Sequence, residues 1–244
     1  MILPPSFLIL APIGCLAMLA GCATPKPFVW TERTVPTSLA DGDGVVVILN
    51  TLRHCDQAEQ KGCERPDESA LSETEFEYRM DSAMTKRLPK MKVVRAKEFR
   101  SAAFPGKSFV DAPRATEATL EAFADPEPQR RIEQLNLRYI VVLDVRTTNS
   151  GTDTKLELGG AGAEGMWGIT RYWTRSSWLT ATILDLRLAR RAGTLNSGVS
   201  GEAGWVFPVF LIIPLPPVPY KAATESPACE AMGLAAADFM GGKN

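Results

Sequence analysis

The residues of this chain whose types and spacing could do chemistry are few: one histidine, five cysteines and one cluster of glycines. The stretch GGAGAEGMWG, Gly159 to Gly168, holds a complete G-x-G-x-x-G at Gly160, Gly162 and Gly165. A dinucleotide loop of that pattern needs a strand before it and a helix opening inside it, so that helical N–H groups meet the pyrophosphate. The chain instead continues from Gly165 as MWGITRYWTRSSW, rich in tryptophan and β-branched residues and without a helical period. The glycines therefore read as the tip of a long hairpin or lid. GVSGE fails as a nucleophile elbow, because Glu202 stands where the last glycine should be, and this removes Ser200. A Ser–His or Cys–His enzyme would have to use His54, the lone imidazole, from a polar loop. The carboxylates show no spacing that singles out an acid/base pair. No catalytic residue, cofactor or metal is expected on these grounds.

The clearest signal lies at the start. Met1 to Gly21 contains no charged residue and is mostly apolar, but Pro4, Pro5 and Pro12 interrupt it as a membrane span. It ends in Leu19-Ala20-Gly21-Cys22, which resembles the lipobox of bacterial lipoproteins, cleaved before the cysteine and acylated on it. The usual positive n-region is missing. The resemblance implies a signal peptide over 1–21 and a lipid-anchored Cys22, with the lipid bilayer as a partner. Ala23 follows the cysteine where an Asp would favour inner-membrane retention, which implies the outer membrane, facing the periplasm. The Pro- and Thr-rich residues 22–43 read as an extended tether, and 44–244 as a single domain.

Export removes Cys15 and uses Cys22, leaving Cys55, Cys63 and Cys229. CDQAEQKGC closes a short polar loop in an oxidising compartment, which favours a Cys55–Cys63 disulfide worth about 2–3 kcal/mol. The competing arrangement is a metal site of His54, Cys55 and Cys63, which lacks a fourth ligand at recognisable spacing. Cys229 lies on the apolar face of a helix and reads as a buried thiol.

The elements that must position these residues are set by periodicity. Val45 to Leu49 is a continuous apolar run, the pattern of a strand buried on both faces. Ser72 and Glu75 form a capping box flanked by Leu71 and Phe76, and Phe76, Met80, Ala83, Met84 and Leu88 recur at helical spacing until Pro89. KVVRAKEF reads as a second strand. A helix-compatible stretch spans Arg114 to Phe123, and Asp125 caps another with Pro126 at its first position. RYIVVLDVRT, SSWLTATILDLRL and LNSGVSGEAGWVF read as further strands. A last helix near Ser226-Pro227 closes at Gly241-Gly242, with Cys229, Met232, Ala236 and Met240 on one face. The fold class is α/β (α+β): one mixed sheet of about five strands with helices against it, a Gly/Trp-rich hairpin insertion and a C-terminal helix.

LNLRYIVVLDVRT and, after a long insertion, WLTATILDLRLARRAGTLNSGVSG resemble the second half of a superfamily of envelope proteins. It includes the curli-secretion channel lipoprotein, the penicillin-binding-protein activator lipoprotein and the TolB amino-terminal domain. In that superfamily a later strand carries aliphatic-Asp-aliphatic-Arg before a Gly turn. Leu143-Asp144-Val145-Arg146 and Leu184-Asp185-Leu186-Arg187 share the pattern. An antiparallel pairing with Val145 opposite Leu186 would place Asp144 against Arg187 and Arg146 against Asp185, with Leu143, Val145, Leu184 and Leu186 on the core face. The resemblance also implies that the sheet supports the insertion from Thr147 to Ser177, where partner contact is expected through Trp167, Tyr172 and Trp173, together with Trp205 from the later apolar stretch.

GWVFPVFLIIPLPPVPY, Gly204 to Tyr220, is too short to span a bilayer as a helix. It reads either as a buried strand with a polyproline cover or as an exposed apolar strip touching the membrane or another subunit. The curli channel lipoprotein builds its pore from two such excursions. The long polar/apolar alternation of a barrel strand is missing from both excursions here. A net charge of −1 with both signs interspersed leaves no electrostatic footprint for nucleic acid. The function expected is a non-catalytic binding or assembly module of the cell envelope, with an unidentified envelope protein as partner and homo-oligomer formation open. An oligomeric secretion pore of the curli-channel type is the alternative, and an enzyme whose site the sequence does not disclose the third. Mass spectrometry of membrane-extracted protein should find an N-terminus at acylated Cys22. An intact Met1 would overturn the lipobox.

Overall fold

The computed structural model describes residues 26–56, 71–107, 115–158, 166–210, 213–214 and 216–242. In chain order the elements are β1 (Phe28–Arg33), β2 (Gly44–Asp56), α1 (Glu73–Arg87), β3 (Lys92–Val94), α2 (Ala96–Ala103), α3 (Thr116–Ala122) and α4 (Pro126–Ile132). They continue with β4 (Leu137–Leu158), β5 (Met166–Asp185), β6 (Arg190–Phe210), β7 (Ile213–Pro214), β8 (Val218–Lys221) and α5 (Glu225–Met240). One mixed sheet runs β1-β6-β5-β4-β2-β3, with β7 and β8 also on β6. The β3, β2 and β4 strands are parallel, joined by helical crossovers, and the β4-β5-β6-β1 part is antiparallel.

Helices cover both faces of one half of this sheet. On one face α1 and α5 bury Phe76, Met80, Met84, Cys229, Met232 and Met240 against Val45, Val47, Val141, Leu143 and Val145. On the other, Phe99, Phe104, Phe123 and Ile132 cover Val46, Ile48, Ile140 and Val142. The run Val45–Leu49 is accordingly buried on both sides, as its unbroken apolar pattern requires. The α1 capping box is present, with Glu75 N–H donating to Ser72 Oγ (3.3 Å) and Ser72 N–H to Glu75 Oε2 (2.8 Å). Asp125 caps α4 through the Glu127 N–H (3.0 Å). Gly233 lets α5 approach α1 closely, since a Cβ there would lie 2.6 Å from Ala83 Cβ.

Several expectations change. Only Lys92–Val94 of KVVRAKEF is strand. The rest opens α2, because Ala96, Phe99, Arg100 and Ala103 recur at helical spacing and all are buried. Residues 28–33, expected within a tether, form the edge strand β1. Beyond it Val35 and Leu39 pack on the core. Arg33 donates to the Phe239 carbonyl (3.1 Å) and lies over its ring, and Thr37 donates to the same carbonyl.

β4 and β5 are antiparallel neighbours, but Val145 faces Leu179 rather than Leu186, and Tyr139 faces Asp185. The cause is Asp185, which ends its strand instead of continuing it. Its Oδ1 accepts the Arg187 and Leu188 N–H groups (2.9 and 3.1 Å) of the turn into β6, and Oδ2 accepts from Arg138 (2.8 Å). Arg187 leaves the sheet and pairs with Asp43 (3.0 Å), while Asp144 accepts from Asn50 (2.7 Å). Neither predicted charge pair forms. Leu184 and Leu186 consequently pack with the α2–α4 layer, on the opposite face from Leu143 and Val145.

Candidate functional site

Past the described helices, β4, β5 and β6 continue as a ribbon, paired from Asp153↔Tyr172 to Leu158↔Trp167 and from Ser176↔Ser200 to Met166↔Phe210, with β8 and β7 along the outer side of β6. The residues of β6 beyond Ser200 carry it roughly 30 Å outward. Gly160, Gly162 and Gly165 lie outside the described residues, but the strands either side of them pair antiparallel. A strand-to-helix phosphate loop is not the context.

The ribbon's predicted contact residues divide between its faces. Side chains alternate across a strand, so Trp173 and Trp205 share one face with Ile169 and Phe207, and Tyr172 takes the other. Leu156, Ile169, Trp205 and Phe207 are exposed, and Leu156, Ile169 and Phe207 stand in one cross-strand row. Tyr172 instead donates to Asp153 Oδ2 (2.8 Å), with Lys155 Nζ 4.3 Å above its ring. That hydrogen bond, with help from the Thr154 N–H and Lys155, holds the Asp153 carboxyl below its ordinary range. The Trp167 side chain lies outside what is described, although its backbone pairs with Leu158 and Val209. GWVFPV is therefore not a buried strand. β8 returns along β6 at Ala203–Val206, and Pro208 stands between that pairing and the one with β7.

At the ribbon's base sits a buried polar cluster. Arg175 Nη2 donates to Glu225 Oε1 (2.7 Å), both side chains being at most 5% exposed. Thr147 Oγ1 donates to the same oxygen (2.9 Å), and the Leu71 N–H donates to Oε2 (2.9 Å). Ser177 Oγ bridges Thr147 (3.0 Å) and Thr224 (2.7 Å). Glu225 also opens α5, where a negative charge complements the helix dipole.

The structure adds a second exposed surface. On the sheet face that α2–α4 cover elsewhere, Phe28, Trp30 and Trp178 stand open, 48%, 59% and 47% exposed. Phe28 and Trp178 meet edge-to-face at 5.4 Å, and they meet over Gly198, where a Cβ would sit 2.3 Å from the Phe28 ring. Beside them a depression of about 300 Å³ is lined by Thr51, Asp144, Val145, Arg146, Trp178 and Thr180. The three successive apolar residues Phe28-Val29-Trp30 are the signal that could have found this surface; the surrounding prolines and threonines hide it.

The remaining titratable cluster lies between α1 and α2. Burial pushes Asp81 up to about 7 against the pull of Arg95 at 3.8 Å, and burial beside Glu73 raises Glu77. Burial also drives the Cys229 thiol up to about 12, so it is an inert core group. Cys22 and Cys63, and the side chains of His54 and Cys55, lie outside the described residues, and with them the lipidation, disulfide and metal readings. Among the described residues no group of His, Cys, Asp or Glu is placed to hold a metal.

No family model and no curated protein matches the chain. Similar solved structures include the PelC dodecamer from Paraburkholderia phytofirmans, at 11% identity and TM-score 0.31, over 89% of this chain and 99% of that one. Another is a putative neuraminyllactose-binding hemagglutinin homolog from Helicobacter pylori, at 10% identity and TM-score 0.34, over 84% of this chain and 85% of that one. The hypothetical protein CT253 from Chlamydia trachomatis is similar at 12% identity and TM-score 0.24, over 68% and 74%. Likenesses this distant assign neither a family nor a function.

Asp81 carries a pH prediction. Its folded pKa of about 7 lies well above the ordinary aspartate value of 3.8, so the folded state holds a proton that the unfolded chain releases. Its contribution is fully present below about pH 4 and is lost as pH rises towards 7. Asp81→Asn should raise Tm at pH 8 by a few degrees and flatten the fall in stability between those limits, measured by thermal denaturation. An unchanged pH profile would contradict this.

Proposed function

We propose that the protein is a lipid-anchored module of the cell envelope, acylated at Cys22, held at the outer membrane and facing the periplasm. It binds a partner protein through its ribbon and performs no catalysis. The observation that supports this most is the row Leu156, Ile169 and Phe207 with neighbouring Trp205, exposed on strands that run past the described helices. Exposed apolar side chains gathered on one projecting face mark a contact surface, whereas singly scattered ones do not. The buried cluster at Arg175 and Glu225 suits the same role, because it fixes the ribbon to the body.

One observation favours self-assembly as the second reading. Pairing with β2 ends at Asn149, and among the described residues β4 from Asp153 to Leu158 pairs with β5 alone, while β8 forms the opposite border. Borders at which no further described strand pairs suit head-to-tail addition of further copies, the geometry that closes rings, as an oligomeric secretion pore requires.

A photocrosslinking residue at Ile169 or Phe207 in intact cells should give a discrete adduct, and one at exposed Tyr78 on α1 should give none. An adduct with a second protein supports the binding module, and one with another copy of this chain supports the oligomer. Ribbon positions that give no adduct in a folded, membrane-bound protein would refute the contact surface.

A further inference from the structure

We propose that Phe28, Trp30 and Trp178 are an interfacial patch that seats the domain on the bilayer beside its lipid anchor. The inference rests on acylation of Cys22 and goes beyond it, because it fixes which surface meets the lipid. β1 runs antiparallel to β6, with Phe28 opposite Gly198 and Arg33 opposite Gly193, so its N-terminal end points towards the ribbon. The chain cannot continue far along that edge, because β8 occupies it from Ala203 onward. Lys26 and Pro27, just before Phe28, already lie outside the strand. Cys22 is six residues before Phe28, a reach of at most about 20 Å. An acyl chain on Cys22 therefore holds the bilayer surface against this part of the molecule.

The side chains at that exit are suited to a membrane interface. Phe28 and Trp30 are largely exposed on the open face of β1, and Trp178 joins them across Gly198. Tryptophan favours the headgroup level, where its apolar ring and its polar N–H both find partners. Lys26, just before the strand, and Arg146, opposite Trp178, are exposed cations at the rim, placed to meet anionic headgroups. Gly198 adds a further sign. It lets two rings lie over the strand where a side chain of its own would stand, and so crowds apolar area at the anchor's exit. A second contact beside the acylated cysteine adds to attachment and removes the freedom to rotate about the tether. The ribbon, rising from the same end of the domain, is thereby held at a set inclination to the lipid.

The test uses the lipidated full-length protein in phosphatidylethanolamine–phosphatidylglycerol vesicles, with and without bromine on the acyl chains. In Trp167→Phe/Trp173→Phe/Trp205→Phe the emission comes from Trp30 and Trp178. Brominated vesicles should quench it, and Phe28→Ser should reduce the quenching. Emission unchanged by brominated lipid, with the acyl group on Cys22 confirmed by mass spectrometry, would overturn the patch and leave the anchor standing. Absence of the acyl group would overturn both. Quenching confined to Trp30→Phe/Trp178→Phe, which retains the ribbon tryptophans, would move the seat to the ribbon and refute the proposal. So would protection of Trp30 by a soluble oligosaccharide from an aqueous quencher that bilayer vesicles do not protect against, since that would give the patch a glycan ligand.

Discussion

The ion pair between Arg175 and Glu225 lies where three parts of the molecule meet: the start of α5, the chain entering α1 and the strands that leave the body as a ribbon. Two charges at such burial are costly to desolvate, and the cost is offset only when their remaining hydrogen-bonding capacity is met. Here the carboxylate accepts from a guanidinium, a hydroxyl and a backbone N–H, each from a different segment. Removing one partner of such a pair typically costs about 3–5 kcal/mol, because the other is left buried and uncompensated. No slippage of β4 or β5 against α5 preserves these contacts, so the cluster specifies one placement of the ribbon on the body.

That placement sets the division of surfaces. Below the cluster the sheet is covered on both faces around β2 and β4, and its apolar side chains are core. Above it none of the described helices packs on the same strands, and Leu156, Ile169, Trp205 and Phe207 face solvent. The chain thus builds a scaffold and a projecting contact element from the same three long strands. The aromatic surface at Phe28, Trp30 and Trp178 lies at the border of the two, at the N-terminal end of β1.

Much of the scaffold is legible in the sequence because local chemistry and burial agree there. The Ser72–Glu75 box, the Asp125-Pro126 start and the face of Cys229, Met232, Ala236 and Met240 are all observed. The strand register is not legible, because an aliphatic-Asp-aliphatic-Arg pattern looks the same in a strand and at its end. Asp185 is a turn residue, and only its hydrogen bonds to Arg187 and Leu188 tell the two apart. RAKEF resembles a strand because its helical period covers barely two turns after three strand-compatible residues. β1 is hidden for a different reason. An exposed edge strand needs no apolar run, and its pairing with β6 is set more than 150 residues away in sequence. The contact surfaces share this limit: Trp173, Trp205 and Tyr172 are visible as residues, but which face each takes depends on the pairing that places them.

Amide hydrogen exchange along β5 tests the dependence of the ribbon on the buried pair most directly. With Glu225→Gln, exchange from Thr170 to Ser176 and in the first turn of α5 should accelerate, while Leu179 to Ile183 in the covered half keeps its wild-type protection. Unchanged exchange at the ribbon's base, or an even rise across α1, β2 and β5 alike, would contradict a ribbon held to its body by Arg175 and Glu225.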